Sequence, residues 1–72
     1  MGFNDWVTVG TRIRPADGSS YRGVILEIVE NVNGVKVSVR HQREDGTGEI
    51  WEKSWEGFPV RYSPTETWKD EA

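Results

Sequence analysis

Turn signals recur along this 72-residue chain at Gly10, Asp17-Gly18, Asn33-Gly34, Asp45-Gly46 and Gly48, with short β-branched runs between them. Punctuation this frequent leaves no room for long helices and suits a small all-β sandwich or barrel. Asn33-Gly34 is the sharpest of the signals. Both residues tolerate positive φ, which a type I′ hairpin turn demands at its two central positions.

The strands follow from that hairpin. Before it, Tyr21 to Glu30 reads as one long strand with Val24, Leu26 and Ile28 on one face and Tyr21, Ile25 and Val29 on the other. Two apolar faces imply that this strand bends and serves two packing layers, with Gly23 as the place for a bulge or close backbone approach. After it, Val35, Val37 and Val39 alternate inward against Lys36, Ser38 and Arg40, the pattern of a half-buried antiparallel strand. Thr11 to Arg14 is the first strand, ended by Pro15, with Val9, Thr11 and Ile13 on one face. Ala16 to Ser20 and Glu44 to Gly48 read as polar loops. Glu49 to Lys53 is the fourth strand, with Ile50 inward. Ser54 to Gly57 reads as one helical turn, capped by Ser54 and ended by Gly57. Phe58 to Tyr62, which contains Pro59, is a last edge strand. This gives an arm over 1–8, a folded unit over 9–62 and a loose tail over 63–72.

Chemistry is narrowed by what is scarce. There is no cysteine and one histidine, so thiolate and histidine-cluster metal sites are excluded and a Ser-His-Asp triad is improbable. Asp5, Asp17 and Asp45 sit in separate loops without ligand spacing, so no metal is expected, and Gly46-Thr47-Gly48 lacks the context of a phosphate cradle. No cofactor is expected. A net charge of −3 argues against general nucleic-acid binding. Met1 to Val9 carries no targeting pattern, and the longest apolar run, Val24-Ile25-Leu26, is far short of the roughly 20 residues of a membrane span. The expected setting is cytoplasmic, with no membrane partner.

Five short strands, a long bent second strand and a helical turn before the last strand resemble the SH3-like small β-barrel, the layout shared by SH3, Tudor and KOW-type domains. A narrower resemblance is carried by Gly10-Thr-Arg-Ile-Arg-Pro-Ala-Asp-Gly-Ser-Ser-Tyr-Arg-Gly23. It is similar to the opening of the plasmid-borne type II dihydrofolate reductases, SH3-like barrels that form tetramers around one active pore and use NADPH. Where that family carries Val-Gln-Ile-Tyr in its pore, this chain has Gly48-Glu49-Ile50-Trp51. Where the family has a pore lysine, this chain has Pro15. Losing the lysine and gaining Glu49 around a symmetric pore would repel phosphates, so the resemblance implies shared fold rather than shared chemistry. It also suggests a bacterial or phage accessory or regulatory protein.

The expected functional surface is aromatic. Tyr21, Trp51 and Tyr62 are read as facing away from the Val24-Leu26-Ile28 core, with Trp55 bordering them and Glu49 among the nearby acids Glu44, Asp45 and Glu52. In SH3-like barrels such residues bind proline-rich peptides or methylated lysine. The bland alternative is that the aromatics cover a core too small for the chain, and that Trp55 plugs one barrel end. The expected role is that of a non-enzymatic protein-binding module, monomeric or a small homo-oligomer. Two alternatives stay open: a reductase-like tetramer, and a nucleic-acid-binding barrel that uses Arg12, Arg14, Arg22 and Arg40, whose bland reading is a face balanced by Glu27, Glu30 and Glu49. His41 reads as an exposed strand end.

Overall fold

A computed structural model describes residues 5–65. Five strands form one antiparallel sheet: β1 (Arg12–Pro15), β2 (Gly23–Glu30), β3 (Lys36–Arg43), β4 (Trp51–Ser54) and β5 (Tyr62–Pro64). One helical turn, α1 (Phe58–Arg61), precedes the last strand. The sheet order is β4-β3-β2-β1-β5, so β4 and β5 are its edges and the sheet is open, where a closed five-stranded barrel was expected. The mostly β composition and the helical turn before the last strand match the sequence reading.

The hairpin between β2 and β3 is turned differently from the expected type I′. Only Gly34 has positive φ, at 79°. The Gly34 amide donates to the Asn31 carbonyl at 2.9 Å, and the Asn31 side-chain Oδ1 accepts from the amides of Asn33 and Val35. This is a three-residue loop in which an ordinary turn is followed by one left-handed glycine. Asn31, which was given no role, supplies the acceptor that holds the loop closed.

The strand faces also differ from the reading. Ile25 pairs with His41 and Glu27 with Arg40, so Leu26 is the extra residue of a β-bulge. A bulge shifts the side-chain phase by one. Gly23 and Ile25 face inward before it and Ile28 faces inward after it, so the expected Val24-Leu26-Ile28 face does not exist and Leu26 is exposed. Gly23 is a place of close approach instead: a Cβ there would lie 2.5 Å from the Tyr21 hydroxyl. In β3 the inward phase holds for Val39 and continues to His41, but a second register shift, between the Val29–Ser38 and Glu30–Lys36 pairs, leaves Val37 as an extra residue, and Val35 and Val37 are exposed. Ile50, expected inside, is also exposed, as is Val9, which was read on the face of Ile13.

The core is Val7, Ile13, Ile25, Val39 and Phe58, with Trp6, Tyr21, Ile28, Trp55 and Tyr62 packed against it. Val7 and Trp6 come from the expected arm. Trp68 lies outside the described residues. The helical turn falls on Phe58–Arg61 rather than Ser54–Gly57, and the last strand on Tyr62–Pro64 rather than Phe58–Tyr62. Pro59 marks the first turn of the helix, where its fixed φ fits and its missing N–H costs nothing. That helix carries Phe58 over the sheet, and its ring lies 5.9 Å from Trp6 and 4.9 Å from Tyr62. No helix among the described residues is long and apolar enough to cross a membrane.

Candidate functional site

Paired residues in an antiparallel ladder share a face. Ile25 opposes His41, and His41 opposes Trp51, so the three point to the same side of the sheet. Pro15 opposes Tyr62 on that side as well. The chain therefore places Trp51 on the core side at the β4 edge and Tyr62 on the core side at the β5 edge. Phe58 and the segment before β1 cover the middle. At one end, Tyr21, Trp51, Tyr62, Pro15, Asp17 and Arg61 line an open cavity of about 530 Å³, with His41 also in its wall. Trp51 stays 53% exposed there.

His41 is the polar centre of this cluster. It is 1% exposed, which overturns the reading of an exposed strand end. Its ring meets Tyr62 at 4.8 Å, Phe58 at 5.5 Å and Tyr21 at 5.7 Å, each edge-on. The Tyr21 hydroxyl and His41 Nδ1 are hydrogen-bonded at 2.8 Å, while Nε2 is buried without a partner. Burial disfavours the charged ring and lowers its pKa. Burial also drives Tyr21 up to about 12, with Tyr62 adding to the rise and Arg43 opposing it, and burial raises Tyr62. Both shifts favour the neutral forms of the pair. Among the described residues, no three His, Asp or Glu side chains gather to hold a metal ion.

Of the expected aromatic set, Tyr21, Trp51 and Tyr62 converge on the cavity. Tyr21 and Tyr62 do so while packed on the core, not facing away from it. Trp55 is elsewhere: it packs against the core and carries the Lys36 ammonium 5.1 Å from its ring centroid. Glu49 is exposed ahead of β4 and does not line the cavity. The other acids are engaged. Glu52 accepts from Ser38 at 2.7 Å and pairs with Arg40 at 3.1 Å, bonds that lower its pKa. Glu44 meets Arg12 at 4.0 Å, and Asp45 accepts from Thr47. The cavity's own acid is Asp17, whose carboxylate accepts from the Ser19 hydroxyl and amide, lowering its pKa, with Arg61 contributing.

Arg12 and Arg14 flank inward-facing Ile13 and Arg40 precedes inward-facing His41, so these arginines share the outer face of the sheet, where they are engaged differently. Arg40 lies between Glu27, at 3.4 Å, and Glu52. Arg22 folds back, with Nη1 donating to the carbonyls of Tyr21 and Ser19 at 2.7 and 3.1 Å. The balancing acids are Glu27, Glu44 and Glu52, not the expected Glu30 and Glu49. His41 was missed as a site residue because a lone polar residue at a strand end reads as solvent-facing; its continuation of the Val35-Val37-Val39 phase was the available signal. No family model, curated protein or solved structure matches this chain.

Proposed function

We propose that this chain is a small non-enzymatic protein-binding module of the SH3-like kind, and that it grips a segment of a partner protein in the groove of Tyr21, Trp51 and Tyr62. One observation carries the reading. Trp51 projects from the core side of the sheet yet is 53% exposed, because no part of the described chain covers it. Covering the exposed half of a tryptophan is worth roughly 3 kcal/mol at about 25 cal/mol per Å². Interfaces are anchored by a few aromatic and arginine side chains of this sort. The groove is also preorganised, since Tyr21 and Tyr62 are held by His41 and Phe58 and lose little freedom on binding. Pro15 and Val60 add apolar wall to a cavity with few charges, which suits an extended segment with an apolar side chain.

The test is selection of a displayed random-peptide library on the intact chain, followed by Kd measurement with Trp51→Ala. Selected peptides should lose about 2 kcal/mol or more of affinity with this variant. Its denaturation midpoint should hardly move, because the side chain covers little of the core. If Trp51→Ala unfolds the chain, Trp51 is core and the assignment fails. If no selected peptide depends on Trp51, the groove is not a binding site.

A further inference from the structure

The two edges of the sheet differ in what their backbones leave free. Just past β5 the Thr65 amide donates to the Arg12 carbonyl at 2.9 Å, and just before it the Arg61 carbonyl accepts from the Ala16 amide at 2.7 Å. Backbone groups alternate in direction along a strand, so Arg61, Ser63 and Thr65 face β1 while Tyr62 and Pro64 face outward. The Tyr62 amide already donates to the Phe58 carbonyl, and Pro64 has no amide hydrogen. Beside β4 the Trp55 amide donates to the Val37 carbonyl at 2.9 Å, and the same alternation turns Trp51 and Lys53 toward β3. Ile50, Glu52 and Ser54 then face outward. The Ser54 carbonyl accepts from the Gly57 amide at 3.1 Å. No described strand pairs with the outward amides and carbonyls of Ile50 and Glu52. Open donors and acceptors of this kind are a template for another strand.

The side chains along β4 decide which strand fits. Trp51 and Lys53 project on the core side, opposite His41 and Val39, and the alternation carried back puts Glu49 on that side as well. Trp51 is 53% exposed, and among the described residues neither Glu49 nor Lys53 has an ion pair. An antiparallel neighbour therefore needs an anion opposite Lys53, an apolar or aromatic side chain opposite Trp51 and a cation opposite Glu49. The run Glu49-Ile50-Trp51-Glu52-Lys53, turned end for end, meets that pattern itself. Centred on Trp51, two copies set their tryptophans against each other and Lys53 against Glu49 on both sides of them. Ile50 and Glu52 then oppose each other as pairs that exchange both backbone hydrogen bonds. Moving the centre to Glu52 also satisfies the backbone, but it opposes two like charges and loses the Lys53–Glu49 pairs.

We infer that β4 pairs antiparallel with β4 of a second copy of this chain, in the register centred on Trp51. The pairing goes beyond the peptide-binding reading and does not rest on it. Tyr21, Tyr62, Pro15 and Arg61 remain the wall of each copy's groove, and the two tryptophans stand between the grooves. The joined sheet ends on both sides in β5, which has no outward amide to give, so assembly stops at two. An edge of four residues buries less than a standard interface, so the dimer forms reversibly with concentration.

Light scattering across a concentration series tests it, on the wild type, Glu49→Lys and Lys53→Glu. The wild-type mass should rise toward twice that of one chain. Each single variant opposes like charges twice and should weaken the dimer about tenfold. An equimolar mixture of the two single variants should recover it, because the cations of one chain then meet the anions of the other at both positions. The double variant Glu49→Lys/Lys53→Glu should dimerise for the same reason. Glu49 and Lys53 do not line the groove, so peptides selected there should bind all three variants as they bind the wild type. Circular dichroism checks that each variant folds. A wild type that stays monomeric at every concentration overturns the dimer and leaves the β4 edge to a strand of another protein. A dimer indifferent to both charge changes, or not recovered in the mixture, overturns the register on which the inference stands. If the masses behave as expected but no selected peptide depends on Trp51, the dimer is supported and only the groove reading falls.

Discussion

The two ends of the β2–β3 hairpin have nearly the same sequence character and opposite fates. At one end Ile25, Val39 and His41 are buried beneath Phe58, Tyr62 and the Trp6-Val7 segment. At the other, beyond a second register shift at Val37, Val35 is 55% and Val37 43% exposed, and Val32 is wholly exposed at the turn. Alternation marks which side of a strand would be buried. Whether anything lies above that side depends on a distant segment, here α1 and the residues before β1. The difference separates a fixed end, where aromatic side chains are packed around His41, from a tip held chiefly by its ladder and by Asn31.

That contrast can be broken most directly at Phe58, which roofs the fixed end. Phe58→Ala should cost about 3–5 kcal/mol. A chain of this size has little more than that in reserve, so thermal denaturation should find it largely unfolded. A smaller break comes from Gly23→Ala. The added methyl meets the Tyr21 ring, so the ring must leave the His41 hydrogen bond, at a cost of about 1–3 kcal/mol. The midpoint should fall by at least several degrees, and the aromatic side-chain signals of Tyr21 and His41 should shift in NMR spectra while Val32 and Val35 do not.

Acid sharpens the comparison further. His41 is held below the ordinary histidine pKa of about 6.5, so the unfolded chain binds its proton more readily. Its contribution to stability is complete above about pH 6.5 and is lost as the pH falls through the depressed folded value. Urea midpoints should decline over that range, and His41→Phe should flatten the decline. Asp17, Asp45 and Glu52 have lowered values too, but their contributions fade only below the ordinary carboxylate range near pH 4. Tyr21 works in the opposite sense. With its folded value near 12, its contribution is whole below about pH 10 and is lost as the pH rises through 12. At the open tip, Val35→Thr should change stability by no more than about 0.5 kcal/mol, measured by the same urea titration.

What could be read from the residues follows the same division. The turn at Asn33-Gly34, the strand succession and the inward Val39 were legible because each depends on near neighbours in the chain. The phase of β2 was not, because one extra residue at Leu26 reverses it and nothing local distinguishes Leu26 from Ile25 or Ile28. Phe58 reads as the start of a last strand whose Pro59 marks an edge, although proline early in a helix is equally ordinary. For the candidate site, Tyr21, Trp51 and Tyr62 were picked out as aromatics, but their meeting place was not. It is set by the His41–Trp51 and Pro15–Tyr62 pairings, which join residues 10 and 47 positions apart.

The open order of the sheet bears on how the molecule behaves when crowded. An unclosed sheet offers two templates on which further strands can add, the first step toward fibrous aggregates. Here β5 is three residues long and ends at Pro64, whose ring nitrogen has no hydrogen to give. The other edge, β4, is four residues long and carries Glu52 and Lys53. Both margins are short and poorly suited to endless growth, so an open sheet of this kind is still a poor seed for fibres of its own copies.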